Sequence, residues 1–403
     1  MISICPDTDC TGCTACYSIC PKRAISMVAD KEGFPHPEIN QKLCIDCGAC
    51  VKVCPALNEP KRRNSAFESR FFAAYHKDEA IRMASSSGGV FSAFASWMLK
   101  KGGCVCAAAY DENFRGVHHV IIHKEEEIAQ LRTSKYTQSR MEDCFVQIRT
   151  LLQKGKDILF VGTPCQTAGL HLFLKKAYPG LLTMDILCHG VPSPSVFRDY
   201  MDVLEQEQGD RIIHYNFRDK KWSWFHFNTK AVFSSGRIYR GTWEEDVFMR
   251  GFLRDYFLRK SCYSCRYSTY ERHSDLTVSD FWGYSEKDGG FRNEDKGISM
   301  CMCNTLTGYE AFQNIENQII WCARPRKMSL INGAFSKKAA TLEEREQFLS
   351  DYRKKGFKQI IPKYMYPEKI GKELKCIYLF GRESFILKIY RSFRTLIRKI
   401  RGA

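Results

Sequence analysis

Between residues 10 and 55 one cysteine spacing occurs twice, and no other feature of the chain restricts its fold so tightly. The first run is Cys10-x2-Cys13-x2-Cys16-x3-Cys20-Pro21, and the second is Cys44-x2-Cys47-x2-Cys50-x3-Cys54-Pro55. Bacterial two-cluster ferredoxins have this spacing: three close thiolates wrap one 4Fe-4S cubane and the fourth crosses to the other. One cluster is therefore expected on Cys10, Cys13, Cys16 and Cys54, and the other on Cys44, Cys47, Cys50 and Cys20. Gly12 and Gly48 ease the tight loops, and each proline ends a short helical turn and aims the thiolate before it. A pair of zinc knuckles is the rival reading. Zinc accepts many spacings, and a doubled pattern with two Cys-Pro endings is hard to reach that way. Cys5 lies outside the pattern and receives no role.

The 403-residue chain, 44% hydrophobic and 26% charged, has the composition of a soluble globular protein of two or three domains. No apolar run reaches the ~18 residues of a membrane span. The start lacks the basic and apolar regions of a signal peptide, so a cytoplasmic location is expected. Twenty cysteines in a reducing compartment point to metal ligation or redox chemistry rather than disulfides. A net charge of +16 steers acidic partners, whether a redox protein, an anionic cofactor, nucleic acid or lipid.

Four more cysteines have suggestive settings. Residues 156–162 read as a buried strand followed by Thr163-Pro164-Cys165-Gln166, and 181–187 as another ending in Cys188-His189-Gly190. As parallel neighbours in an α/β sheet they would place both thiols at the carboxyl edge, where such sheets bind ligands. With Cys262 and Cys265 they make a candidate four-thiolate set for a third 4Fe-4S cluster. The alternative is a group of unrelated core cysteines. Cys104, Cys106, Cys144, Cys301, Cys303, Cys322 and Cys376 read as structural.

A new unit opens with a strand at Phe71–Tyr75. Ser85-Ser86-Ser87-Gly88-Gly89 then feeds a segment whose apolar residues 90, 91, 94, 97 and 98 recur at helical spacing. A Ser/Gly loop entering a helix is a ready anion site, since free N–H groups and the dipole favour a phosphate and glycines allow close approach. It lacks the Walker and Rossmann spacings, and serine capping of the helix is the plainer reading. Strand pairs are expected over 104–109 with 117–123 and over 225–233 with 237–239, and a further strand over 276–283. From 369 to 401 ten Lys and Arg stand against two acids. Ile386, Ile389, Tyr390, Phe393, Leu396, Ile397 and Ile400 share one helical face there, as in a basic amphipathic helix lying on a membrane surface, on a partner or on its own domain.

Taken in order, Ser85–Phe91, Ser134-Lys135-Tyr136-Thr137-Gln138-Ser139, Gly162–Gln166, Cys188-His189-Gly190-Val191-Pro192-Ser193, Cys262–Tyr267 and Asp280-Phe281-Trp282-Gly283 resemble the coenzyme F420 hydrogenase/dehydrogenase beta-subunit family over about residues 1–325. The resemblance implies an iron-sulfur oxidoreductase that contains FAD, in which the flavin exchanges a hydride with a soluble partner and the clusters carry single electrons. Ser86, Ser87, Gly88 and Gly89 would then hold the FAD pyrophosphate, with Ser134 and Lys135 nearby. Cys165, Cys188, Cys262 and Cys265 would hold a cluster beside the flavin.

The expected fold is mixed α+β and α/β, a two-cluster ferredoxin module joined to a mixed-sheet flavin-binding core with a C-terminal amphipathic helix. The expected boundaries are 1–58 for the ferredoxin domain, 59–66 for a linker, 67–150 and 151–345 for the two parts of the core, and 346–403 for the basic tail. The donor would be coenzyme F420, a ferredoxin or another soluble reductant. A partner enzyme subunit and peripheral membrane contact through the tail are further expectations. Without an aromatic-interleaved basic groove, nucleic acid is disfavoured. A non-catalytic electron-transfer subunit, serving for example polysaccharide biosynthesis, is the alternative. Neither a Ser-His-Asp set nor a paired-carboxylate motif stands out, and hydride transfer needs neither.

Overall fold

The computed structural model describes residues 4–60, 67–329, 332–335 and 338–366. Two antiparallel strands, β1 (Ile25–Ala29) and β2 (Pro35–Ile39), lie between the cysteine runs, and each run contains a short helix, Ala15–Ile19 or Ala49–Lys52.

The rest is built on a nine-stranded mixed sheet. Its strands are β3 (Arg70–His76), β4 (Cys104–Tyr110), β5 (Val117–Ile122), β6 (Ser139–Arg140), β7 (Ile158–Gly162) and β8 (Leu181–Ile186), with β12 (Leu276–Asp280), β13 (Ser299–Cys303) and β14 (Ile319–Ala323). The order is β14-β3-β13-β12-β8-β7-β4-β5-β6, with β4, β7, β8 and β12 parallel in the middle. Central strands such as Ile158–Gly162 are covered on both faces, hence their near-continuous apolar sequence. The strands expected at 156–162 and 181–187 are thus parallel neighbours, with Gly162 opposite Asp185 at the edge where both cysteine loops leave.

A second sheet of β9 (Ile212–Asp219), β10 (Asn228–Phe233) and β11 (Ile238–Thr242) is wholly antiparallel. The period-two pattern expected from residue 225 becomes strand only at Asn228, because Trp224 and Phe225 turn back to the Asp295 carboxylate. This sheet packs with the helix Pro194–Gln208 and with two late helices, Leu342–Lys355 and Phe357–Tyr364. Phe348, Leu349, Phe357 and Ile360 are buried there, each worth about 1.5–3 kcal/mol. Residues 346–366 are therefore packed helix rather than solvated tail. The basic excess begins beyond them, and the helix expected from Ile386 lies outside the described residues, as does Cys376. Among the described residues no helix is long and apolar enough to cross a membrane.

Candidate functional site

The two cysteine loops share one backbone. Each has two left-handed positions, Gly12 (φ 67°) and Thr14 (φ 65°) in the first and Asp46 (φ 51°) and Gly48 (φ 66°) in the second. Each loop spends its glycine at a different one of the two, so the sequence showed only half of the requirement.

The fourth thiol of each run stands with the first three of the other. Cys20, Cys44, Cys47 and Cys50 line one small cavity. Burial, then the charges of Cys13, Cys10 and Cys54, holds the Cys16 thiol well above its usual range. Cys5, which carried no sequence signal, stands beside Cys10 and Cys54. Among the described residues no three His, Cys, Asp or Glu side chains are gathered to hold a single metal ion. Thiols spaced around the corners of a cubane require no such convergence.

A cavity of about 1760 Å³ opens at the carboxyl ends of β7 and β8, well above the ~300–1,000 Å³ of an ordinary ligand pocket. Ser85–Ser87, Gly89–Phe91, Arg132–Gln138 and Ile186–Pro192 line it. Backbone accounting in the Ser/Gly loop explains its shape. Ser86 O accepts from Arg218 Nη2 (3.2 Å), Ser87 O from Lys220 Nζ (2.6 Å) and Gly88 O from His76 N (2.7 Å). Across a trans peptide the next N–H points the opposite way. The N–H groups of Ser86, Ser87, Gly89, Val90 and Phe91 donate to no acceptor among the described residues, and all five residues line the cavity. Gly88 does not line it. A Cβ there would sit 2.4 Å from Ala74 O and 2.7 Å from Ser299 N, so this glycine serves close packing on β3 and β13 rather than close approach of a ligand.

The serine and lysine side chains brace the site. Ser86 Oγ accepts from Ser134 N (2.7 Å), Ser87 Oγ donates to Ile298 O (2.8 Å), and Lys135 Nζ donates to the carbonyls of Leu131, Arg132 and Thr133 (2.8–3.2 Å). Burial brings Lys135 down to about 7, and Lys220 likewise. Free amides and a helix dipole, with Lys135 in the same cavity wall, form an anion cradle. That donor set fits a dinucleotide pyrophosphate.

Cys165 and Cys188 also line the cavity, and Cys262 and Cys265 are close enough to both to add their charges. Cys165 lies in the first turn of the helix Pro164–Leu174, whose Thr163–Gln166 capping box fixes its start. Burial, helped by the neighbouring thiols, pushes Cys188 up to about 12 and Cys262 up to about 11. These four partly buried thiols form a donor set that could hold an iron centre.

This set adjoins the first cluster loop. Gly169, one turn along the helix from Cys165, leaves room for Cys13, whose Sγ would lie 2.9 Å from a Cβ. Tyr267 feels the charges of Cys165, Cys13 and Cys265, and its hydroxyl donates to Pro55 O (2.7 Å). Arg259, fully buried, donates to Cys10 O (2.6 Å), Gln138 Oε1 (2.9 Å) and Pro35 O (3.0 Å), while Gln138 Nε2 donates to Thr11 O (3.1 Å). The arrangement runs from the cavity through Cys165 and Cys13 to the outer loop.

Sequence reading missed Arg259, Tyr267, Lys220 and the Arg218–Asp280 pair. Asp280 and Tyr267 stood in recognised motifs without a role, and Arg259, Lys220 and Arg218 lie in no motif.

Three family models match: the coenzyme F420 hydrogenase/dehydrogenase beta subunit N-term over 71–145, the same subunit's C terminus over 155–327, and a 4Fe-4S dicluster domain over 9–58. No curated protein matches. A solved structure, the xenon-derivatised F420-reducing [NiFe] hydrogenase complex from Methanosarcina barkeri, is similar at 14% identity and TM-score 0.45, over 74% of this chain and 92% of that one. The chain belongs to the coenzyme F420 hydrogenase/dehydrogenase beta-subunit family and, with its 4Fe-4S dicluster domain, is an iron-sulfur electron-transfer protein of the oxidoreductase type.

Proposed function

We propose that the protein is an FAD-dependent oxidoreductase in which the cavity holds the flavin, Cys165, Cys188, Cys262 and Cys265 hold a third 4Fe-4S cluster, and the ferredoxin module carries single electrons to or from a partner. The observation that carries the reading is the row of free N–H groups from Ser86 to Phe91 in the same cavity as Cys165 and Cys188. A bound flavin supplies the conversion between a two-electron hydride and the one-electron steps of cubanes. The chain's own residues bind and orient. The loop amides take the pyrophosphate, Arg218 and Lys220 hold that loop in shape, and the aromatic rim of Trp222, Phe225, Trp243 and Trp282 shields the cavity from water.

The donor in this reading is a soluble hydride or electron carrier such as coenzyme F420 or a ferredoxin, and a partner subunit receives or supplies the single electrons. The domain limits given above go with it, except that residues up to 366 pack on the core.

Anaerobic purification with iron, sulfide and flavin counts tests the reading. About twelve irons, four per cubane, and one FAD per chain are expected. About eight irons without flavin would sink it and leave a plain electron-transfer subunit. Cys165→Ala should lose about four irons and leave the N-terminal pair.

A further inference from the structure

The two cysteine loops have the same backbone but opposite surroundings. The first is covered: a Cβ at Gly12 would meet Gln138 Nε2 at 2.5 Å and Arg259 Nη1 at 2.9 Å, and Cys10, Cys13 and Cys16 are buried. The second is bare. Gly48 has nothing within 4 Å of a Cβ, Cys47 is exposed, and Leu43 and Ile45, which flank Cys44, are 51% and 56% exposed.

Lys22 stands at this apolar centre, and Arg23, Lys42 and Lys52 lie near it in sequence; all four are exposed and none is in an ion pair among the described residues. Lys22, Ile45 and Cys47 line the same small cavity, which puts cation, apolar side chain and cluster thiol side by side. Asp46, inside the loop, and Glu38 are the acids on the described stretch from 20 to 52 that are nearest in sequence to this centre. An apolar centre where cations outnumber acids is the composition of a docking surface, and its charge selects the partner.

We propose that the face centred on Cys47 docks a small acidic one-electron carrier protein and is where electrons pass between this chain and that carrier. The transfer is balanced: one electron leaves the carrier as the Cys20, Cys44, Cys47 and Cys50 cluster gains one, or the reverse, with no bond or proton moved. The inference rests on that cluster being held by those four thiols. A basic carrier is repelled by the same cations.

The test uses the full-length holoprotein, with stopped-flow measurement of its reduction by a reduced acidic two-cluster ferredoxin at several salt concentrations. In Lys22→Glu/Lys42→Glu the second-order rate constant at low salt should fall about tenfold or more, and its decline with salt should flatten or reverse. Leu43→Ser/Ile45→Ser should also slow the reaction while keeping the salt dependence. Iron content and reduction by dithionite should stay as in the unmodified protein, which separates a lost docking face from a lost cluster. The proposal is overturned if charge reversal leaves the rate and its salt dependence unchanged, or if dithionite reduction slows in step. It is also overturned if the acidic ferredoxin fails to react where a basic one-electron donor of similar potential does.

Discussion

Arg218 grips Asp280 through both terminal nitrogens, with Nη1 donating to Oδ2 at 2.7 Å and Nη2 to Oδ1 at 2.9 Å. The pair joins β9 to the end of β12, and Arg218 also reaches Ser86 O and Tyr136 OH. Trp224 Nε1 adds a third donor to Asp280 (2.6 Å) and stacks on Trp282 at 4.8 Å. Since the arginine is 3% exposed, Arg218→Met should cost about 3–5 kcal/mol by stranding the Asp280 carboxylate. Arg218→Met/Asp280→Leu, which removes both charges, should cost less than the single change. Urea unfolding at matched iron content reads the difference. A single variant within about 1 kcal/mol of the parent would show that the pair does not hold the site.

Cys13 and Gly169 make the second prediction. Once Cys13 carries iron its sulfur cannot swing aside, so the 2.9 Å approach forbids a side chain at 169. Gly169→Val should therefore lower iron by about one cubane, four irons, or shift the electron resonance signal of the inner cluster. Gly48→Ala, which meets nothing within 4 Å, is the control on the outer loop. Its strain is confined to the backbone, where φ is 66°. Full iron and an unchanged spectrum in Gly169→Val would mean that Cys13 holds no iron.

What could be read in advance follows from how far each signal travels along the chain. The cysteine runs, the parallel pair β7 and β8 and the Ser/Gly helix entry are short-range patterns, and each was legible. Arg259 was not, because its meaning lies in partners at Cys10, Pro35 and Gln138, far away in sequence. Lys220 was hidden for the same reason: it reads as a surface lysine until the fold surrounds it with the carbonyls of Arg82, Ser87 and Lys296. Gly88 was noticed but credited with the wrong neighbour, since composition cannot tell a glycine that admits a ligand from one that admits a strand.

That distinction is measurable. In Gly88→Ala the new methyl would press on Ala74 O at 2.4 Å and Ser299 N at 2.7 Å, both backbone atoms that cannot rotate away. Overpacking of this kind costs about 1–3 kcal/mol and should push the start of the Val90–Lys100 helix off β3 and β13. The protein should purify with less FAD at unchanged iron. Gly89→Ala, at φ 88° with its nearest contact at 3.2 Å, should act through backbone strain instead. Normal FAD and stability in Gly88→Ala would refute the packing role.

Lys135 gives the site a pH dependence whose sign can be worked out. Burial lowers it to about 7, whereas an anion bound nearby favours its charged form and raises it again. FAD affinity should be fullest below about pH 7, where the lysine is already protonated. Above that, binding must take up a proton, and affinity should fall by up to about tenfold per unit until the pKa of the complex is reached. Stability of the flavin-free protein should run the other way. A lysine depressed by folding binds fewer protons folded than unfolded, so its cost is greatest below about 7 and is relieved as pH rises toward the ordinary lysine value. Titrating FAD by fluorescence between about pH 6 and about 9 should show this slope in the parent protein, and Lys135→Met should flatten it. An affinity independent of pH in the parent, or a slope that survives in Lys135→Met, would place the flavin phosphates away from this lysine.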